Sequence, residues 1–69
     1  MKRFIVKSGS GYLLNKATLE MISDPSRDVN AALQAERLSL SDASDVVDMF
    51  SATGFDAQII ELRIGELHQ

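Results

Sequence analysis

Hydrophobic and polar residues alternate at the start of the chain, a pattern that predicts β-strands. In residues 3–8, Phe4 and Val6 fall on one side of a strand and the residues between them on the other. Residues 9–11 (Gly-Ser-Gly) predict a hairpin turn, because glycine reaches positive φ without steric cost. The apolar stretch at residues 12–14 then predicts the second strand of a hairpin.

Residues 15–37 carry less regular patterns. Asn15-Lys16 is suited to a second tight turn, since asparagine tolerates the left-handed region, and residues 17–22 would form a third strand. At Asp24-Pro25 the signals change to those of a helix that continues through Arg37, with Ser23 or Asp24 as the N-cap and proline at the first helical position.

The helix predicted over residues 24–37 has a thin apolar stripe. Val29, Ala32 and Leu33 lie together, but Glu36 falls on the same side, so we expect shallow packing. The residues leave two alternatives open: part of this segment is loop, or Glu36–Leu40 forms a short extended segment instead.

The clearest local pattern predicts a helix over residues 39–54. Ser39 or Ser41 can cap its start, and Asp42 follows Ser39 by three residues, as in a capping box with Asp in place of Glu. Gly54 is placed to end the helix with a left-handed cap. Its apolar residues recur at i, i+3, i+4 and i+7 and so share one side of the helix: Ala43, Val46, Val47 and Phe50.

A last strand is predicted over residues 55–64, followed by a frayed tail at Gly65–Gln69. Ile60, Leu62 and Ile64 share one side, and Ala57 and Ile59 share the other, so both sides are partly apolar. Such a strand is usually central in its sheet or covered on its second face. A small domain supplies that cover only in part, so the pattern also suggests a homodimer.

Together these elements predict a single α+β domain over residues 1–69: an antiparallel sheet of three to four strands packed against one or two helices. A chain of 69 residues allows one core only, and with 45% hydrophobic and 25% charged residues it has the composition of a folded domain. Cysteine is absent and His68 is the single histidine, so we expect no disulfide, no zinc site and no cofactor.

The apolar runs are far shorter than the roughly 20 residues that cross a membrane as a helix. The basic start resembles a signal peptide only as far as Val6, because Lys7 ends the apolar stretch. The expected location is therefore the cytoplasm, with which the lack of cysteine agrees.

Charge is unevenly distributed along the chain. The net charge is −3, but residues 1–16 hold four bases and no acid, whereas the rest hold all ten carboxylates and three arginines, for a net −7. Three aspartates recur every third residue on the main helix, and together with Asp56 they form the candidate partner-binding set: Asp42, Asp45, Asp48 and Asp56. Besides a solvated helix flank, such a row can bind a basic protein surface or imitate the charges of nucleic acid. Its spacing is not that of a calcium loop, and we predict no metal site.

The basic end suggests an alternative, contact with nucleic-acid phosphates through Lys2, Arg3, Lys7 and Lys16, with Phe4 and Tyr12 as stacking platforms. The acidic overall charge argues against it, because nucleic-acid-binding domains usually carry a dense basic patch. Such lysines more often protect the edge of a sheet.

The sequence contains no matched set of nucleophile, base and acid, so we predict no enzymatic activity. The glycines at residues 9–11 lack the following helix that a phosphate-binding loop needs, and Ser10 lacks a positioned base. Met21, Met49 and Phe50 are suited to an adaptable interface, but their default role is to fill the core.

Leu38–Ala43 (Leu-Ser-Leu-Ser-Asp-Ala) and Gly54–Glu61 (Gly-Phe-Asp-Ala-Gln-Ile-Ile-Glu) resemble small phage- and prophage-encoded proteins with a strand-hairpin, helix, strand plan. The likeness covers most of the chain, and the segment Asp24–Arg37 departs from it as an insertion. Most such proteins have no assigned function, and some inhibit host defence complexes by direct contact. The resemblance therefore implies an interaction role, and the leading hypothesis is a non-enzymatic protein that binds a basic partner surface.

Overall fold

The computed structural model describes residues 2–62 of the chain. It contains a four-stranded antiparallel sheet and two helices, which confirms the predicted α+β fold. The predicted tail, and the end of the last predicted strand, lie outside the described residues. The elements are β1 (Arg3–Ser8), β2 (Gly11–Asn15), β3 (Glu20–Ile22), α1 (Asp28–Gln34), α2 (Leu40–Ala52) and β4 (Gln58–Leu62).

The strands lie in the order β3-β2-β1-β4. β1 and β2 form the predicted hairpin, in which Ser8 pairs with Gly11 across a loop of Gly9 and Ser10. Gly9 has a φ of 61°, as hairpins with glycine at the first loop position require. β4 runs antiparallel to β1, with Ile5 opposite Ile60.

The two helices cover opposite faces of the sheet. The predicted alternation in β1 is confirmed, since Val6 is buried in a cluster with Val46 of α2, whereas Ile5 is buried in a second cluster with Ala31 of α1. The molecule therefore has three layers, with the sheet between the helices.

β4 is apolar on both sides because each side meets a different cluster. Ile59 packs against the α2 cluster, and Ile60 and Leu62 pack against the α1 cluster. The expectation of a central strand is wrong for the described sheet, in which β4 lies at the edge, but the alternative of a covered second face is confirmed. This cover is partial, because Ile60 and Leu62 are half-buried, and the homodimer stays a prediction.

α2 has the predicted start, end and buried side. Ser39 is the N-cap, and its hydroxyl accepts a hydrogen bond from the Asp42 amide at 3.2 Å. Ala43 and Val46 are fully buried. Gly54, with a φ of 86°, ends the helix as predicted. In this Schellman arrangement the Gly54 amide donates to the Ser51 carbonyl and the Phe55 amide to the Phe50 carbonyl, at 3.0 and 2.9 Å.

α1 is shorter than the helix predicted over residues 24–37. Its N-cap is Arg27, without a side-chain cap, and not Ser23 or Asp24. Asp24 instead accepts hydrogen bonds from the amides of Ser26 and Arg27 in the preceding turn. Hydrogen bonds from the side chains of Ser26 and Asn30, and to a smaller extent those from the two amides, lower the pKa of Asp24. The side chain thus stabilises a turn that contains Pro25 and delays the start of the helix.

The buried side of α1 also differs from the prediction. Ala31 and Ala35, at its C-cap, are buried, whereas Val29 and Leu33 are 64% and 42% exposed. The ring of Tyr12 belongs to the same cluster, so the side of the helix that meets the sheet carries small residues that allow a close approach. The thin stripe of the sequence did not identify this side.

Two connections complete the fold. After α1 the chain is extended: the Glu36 amide donates to the Leu13 carbonyl, and Leu38 forms a bridge with Phe4 through hydrogen bonds of 2.8 and 2.9 Å. The alternative of an extended segment over Glu36–Leu40 is therefore confirmed in part: the bridge is confined to Leu38, and Leu40 already begins α2. The third strand is shorter than predicted, because residues 17–19 belong to a turn in which Leu19 has a φ of 58°.

Candidate functional site

The acidic side of α2 consists of Asp45 and Asp48, both of which are exposed. Asp48 lies on nearly the opposite side of the helix from Phe50, since two residues turn a helix by about 200°. Neither carboxylate forms an ion pair among residues 2–62. The buried side of α2 holds the helix on the sheet, so the two carboxylates are presented on a rigid element.

Asp42 differs from the other two aspartates because it is paired. Its carboxylate lies 3.4 Å from the ammonium group of Lys16, which follows β2. In the sequence no base interrupts the acidic run at residues 38–62, but the fold places a base at its start. Asp42 therefore contributes less negative charge to this surface than the sequence suggested.

Asp56 does not join the acidic side of α2. It follows the C-terminal end of this 13-residue helix, which is about 20 Å long at 1.5 Å per residue, whereas Asp42 lies in the first turn. The Asp56 carbonyl accepts a hydrogen bond from the Ser8 hydroxyl at 2.7 Å, next to the β1–β2 turn. The four predicted partner-binding residues therefore do not form one surface. Asp42 is paired at the start of α2, Asp45 and Asp48 are exposed along it, and Asp56 lies beyond its end.

The four basic residues of the alternative site do not form one patch either. Lys2 pairs with Glu61 at 3.4 Å, and Lys16 with Asp42. Arg3 is exposed at the start of β1, and the Lys7 ammonium lies 5.5 Å from the centre of the Tyr12 ring. Two of the four bases are therefore already paired with acids of the same chain.

The two proposed stacking platforms pack against the core. Phe4 is half-buried against the α2 cluster, and Tyr12 is only 3% exposed. The Tyr12 hydroxyl donates a hydrogen bond to the Asp28 carboxylate at 2.8 Å. This bond, and after it the burial of the ring, raises the pKa of Tyr12 above its usual 10.0. The expectation that Tyr12 stacks on nucleobases is therefore wrong, because its ring is buried, whereas that for the half-buried Phe4 stays a prediction.

An open groove of about 610 Å³ lies where the β1–β2 turn, β3 and the end of α2 meet. Its apolar walls are Met21, Phe50 and Phe55, and its rim includes Asp56. The default core role of the methionines is wrong, because Met21 and Met49 are 38% and 44% exposed. Sequence reasoning assigned Phe55 to the last strand and missed the groove, although a hydrophobic residue directly after a capping glycine is a known signal for a contact with the helix end.

Comparisons of the chain with protein families, curated proteins and solved structures found no match. The resemblance to phage-encoded proteins therefore stays a prediction. Among residues 2–62 no helix is long and apolar enough to span a bilayer, and no three acidic or histidine side chains are grouped as metal ligands.

Proposed function

We propose that this chain is a non-enzymatic interaction protein that binds a basic surface of a protein partner through Asp45 and Asp48. The observation that supports this proposal is that both carboxylates are exposed, and unpaired within the described residues, on a helix whose other side is buried. A rigid pair of like charges can orient an oppositely charged partner without first breaking an internal ion pair.

The expected energies indicate what this surface contributes. An exposed ion pair is worth about 0.2–1 kcal/mol, so two such pairs supply about 2 kcal/mol at most. Exposed charges are also screened beyond about 8 Å at physiological salt. The acidic side of α2 therefore sets the association rate and the orientation of the partner, and most of the affinity must come from apolar contacts elsewhere.

The proposal includes the setting predicted from the sequence. It places the interaction in the cytoplasm, and inhibition of a host defence complex is the role implied by the resemblance to phage proteins. Nucleic-acid binding is less well supported, because the pairing of Lys2 and Lys16 with acids leaves fewer bases for phosphates. A nucleic-acid complex would weaken steeply with added salt.

The test starts with capture of a partner from the native source by the immobilised chain, followed by mass identification. Binding of the purified partner is then measured for the unchanged protein, for D45N/D48N and for D45K/D48K. We expect roughly tenfold weaker binding after neutralisation, and a loss of about 100-fold or more after charge reversal, because repulsion then replaces attraction. Circular dichroism verifies that each variant is folded.

The matched control is E20Q/E61Q, which changes the net charge by the same amount at exposed positions on β3 and β4. We expect this control to bind nearly as well as the unchanged protein. Equal losses for both neutralised variants would mean that net charge alone matters, and unchanged binding by D45K/D48K would reject the proposed surface.

A further inference from the structure

The groove beside the end of α2 has the size and lining of a binding site. A volume of about 610 Å³ lies within the range of about 300–1,000 Å³ that is usual for ligand pockets. Three separate segments form it: the β1–β2 turn, Met21 of β3, and Phe50 with the residues that follow α2. The sheet and the main helix hold these segments in place around the groove.

The apolar wall of the groove is unusually open. Phe55 is 61% exposed, although the hydrogen bond that its amide donates to the Phe50 carbonyl fixes its backbone beside the helix end. Met21 is partly exposed on the same side of the sheet as α2, and its flexible side chain can adapt to different shapes. Large apolar side chains that remain in contact with water are candidates for contact with a partner.

The charge of the groove indicates what kind of group would enter it. Of the described residues that line it, Asp56 alone is ionisable, and none is a lysine or arginine. The C-terminal end of α2 is the negative end of the helix dipole, and no basic residue lies in its last turn. Both features favour a cation next to the apolar wall.

We propose that this groove binds an apolar side chain that is flanked by lysine or arginine in the sequence of the partner. The apolar side chain would lie against Met21, Phe50 and Phe55, and the neighbouring base would lie near Asp56 and the end of α2. A purely apolar ligand would make no use of the exposed Asp56 carboxylate, and a purely basic one would leave Phe55 in water. The inference rests on the proposed function, because it takes the partner to be basic, and it supplies the apolar contact that the α2 carboxylates lack.

The probe is a fluorescein-labelled peptide, Gly-Lys-Arg-Phe-Lys-Arg-Gly, together with a counterpart in which alanine replaces phenylalanine. Fluorescence anisotropy measures binding to the full chain. We expect the phenylalanine peptide to bind about tenfold more tightly than the alanine peptide. We also expect the bound peptide to shift the amide signals of Gly9, Met21, Gly54 and Phe55 of the protein in nitrogen-15 correlation spectra.

Two variants locate the site. F55A removes an exposed ring, and D56N removes the charge while the main-chain bond to Ser8 remains. Each should weaken binding of the phenylalanine peptide about fivefold or more, and F55A should remove most of the difference between the two peptides. The matched controls are V29A, an exposed apolar position on the other side of the sheet, and E20Q, and both should bind as the unchanged protein does.

The outcomes separate this inference from the proposed function. If both peptides bind equally, or if F55A and D56N bind the phenylalanine peptide like the unchanged protein, the groove inference is wrong. If D45N/D48N weakens binding of the captured partner but F55A and D56N do not, the α2 surface is supported and the groove is rejected. Failure of the phenylalanine peptide to bind at all also rejects the groove, while the capture experiment still decides the proposed function.

Discussion

The hydrogen bond between Tyr12 and Asp28 provides a sharp test of how α1 is held on the sheet. Tyr12 is the single tyrosine of the chain, it is 3% exposed, and its hydroxyl donates to the Asp28 carboxylate at 2.8 Å. The buried residues that α1 and its C-cap add to this cluster are alanines, which bury little area, so we expect this polar contact to matter. The perturbation is Y12F, which keeps the ring and removes only the hydroxyl.

The magnitude follows from the environment of the two groups. A hydrogen bond to a charged group contributes about 1.5–3 kcal/mol, but Asp28 is exposed and regains water when the hydroxyl is removed. We therefore expect Y12F to lower the free energy of unfolding by about 1–1.5 kcal/mol, measured by urea unfolding at neutral pH. In a domain of this size about 1 kcal/mol corresponds to a melting temperature lower by about 4–8 °C.

The same bond makes stability depend on alkaline pH. The pKa of Tyr12 is raised in the folded state. The contribution of its hydrogen bond to the free energy of unfolding is therefore fully present below the usual pKa of 10.0, and it is lost as the pH rises through the folded-state pKa. The chain has no tryptophan, so absorbance at 295 nm reports the phenolate of Tyr12 directly. We expect a titration midpoint above 10.0, and a stability difference between the unchanged protein and Y12F that disappears at higher pH.

The control variants are D28N, which should bring the midpoint closer to 10.0, and D24N, which removes the carboxylate four residues before Asp28 and should leave the midpoint unchanged. A midpoint at or below 10.0 that does not respond to D28N would refute the reasoning. In that case the bond does not form in solution, and α1 is held by its alanines alone.

Two further substitutions test the core and the end of α2. V46A removes two methyl groups from a fully buried side chain and should lower the free energy of unfolding by about 2–3 kcal/mol. V29A, at a position 64% exposed, should change it by less than about 0.5 kcal/mol. Similar losses for the two variants would mean that the buried sides of the helices are misplaced. G54A should cost about 1–2 kcal/mol, because alanine is strained at a φ of 86° although nothing lies within 4 Å of the added carbon. A G54A protein as stable as the unchanged one in urea would contradict the left-handed cap.

The sequence alone determined the elements whose signals are local. The two sides of β1 follow from alternation over six residues, and α2 follows from a serine cap, a four-residue apolar spacing and a terminal glycine. Each of these signals acts over a few neighbouring residues, so no tertiary contact was needed to predict them.

The tertiary structure decided the side of α1 that is buried. The sequence favoured Val29 and Leu33, which are larger and more hydrophobic, but the ring of Tyr12 leaves room for the alanines on the neighbouring side. A helix with a thin apolar stripe has no strong preference for which side is buried, so its orientation is determined by the surface on which it packs.

Tertiary structure also decided the candidate site. Lys16 neutralises the start of an acidic run that is uninterrupted in the sequence, and the groove beside Phe55 is built by three segments far apart along the chain. Ion pairs and grooves of this kind depend on strand register and helix position. These are set by packing across the whole core, and a pattern of neighbouring residues contains no information about which distant side chains will meet.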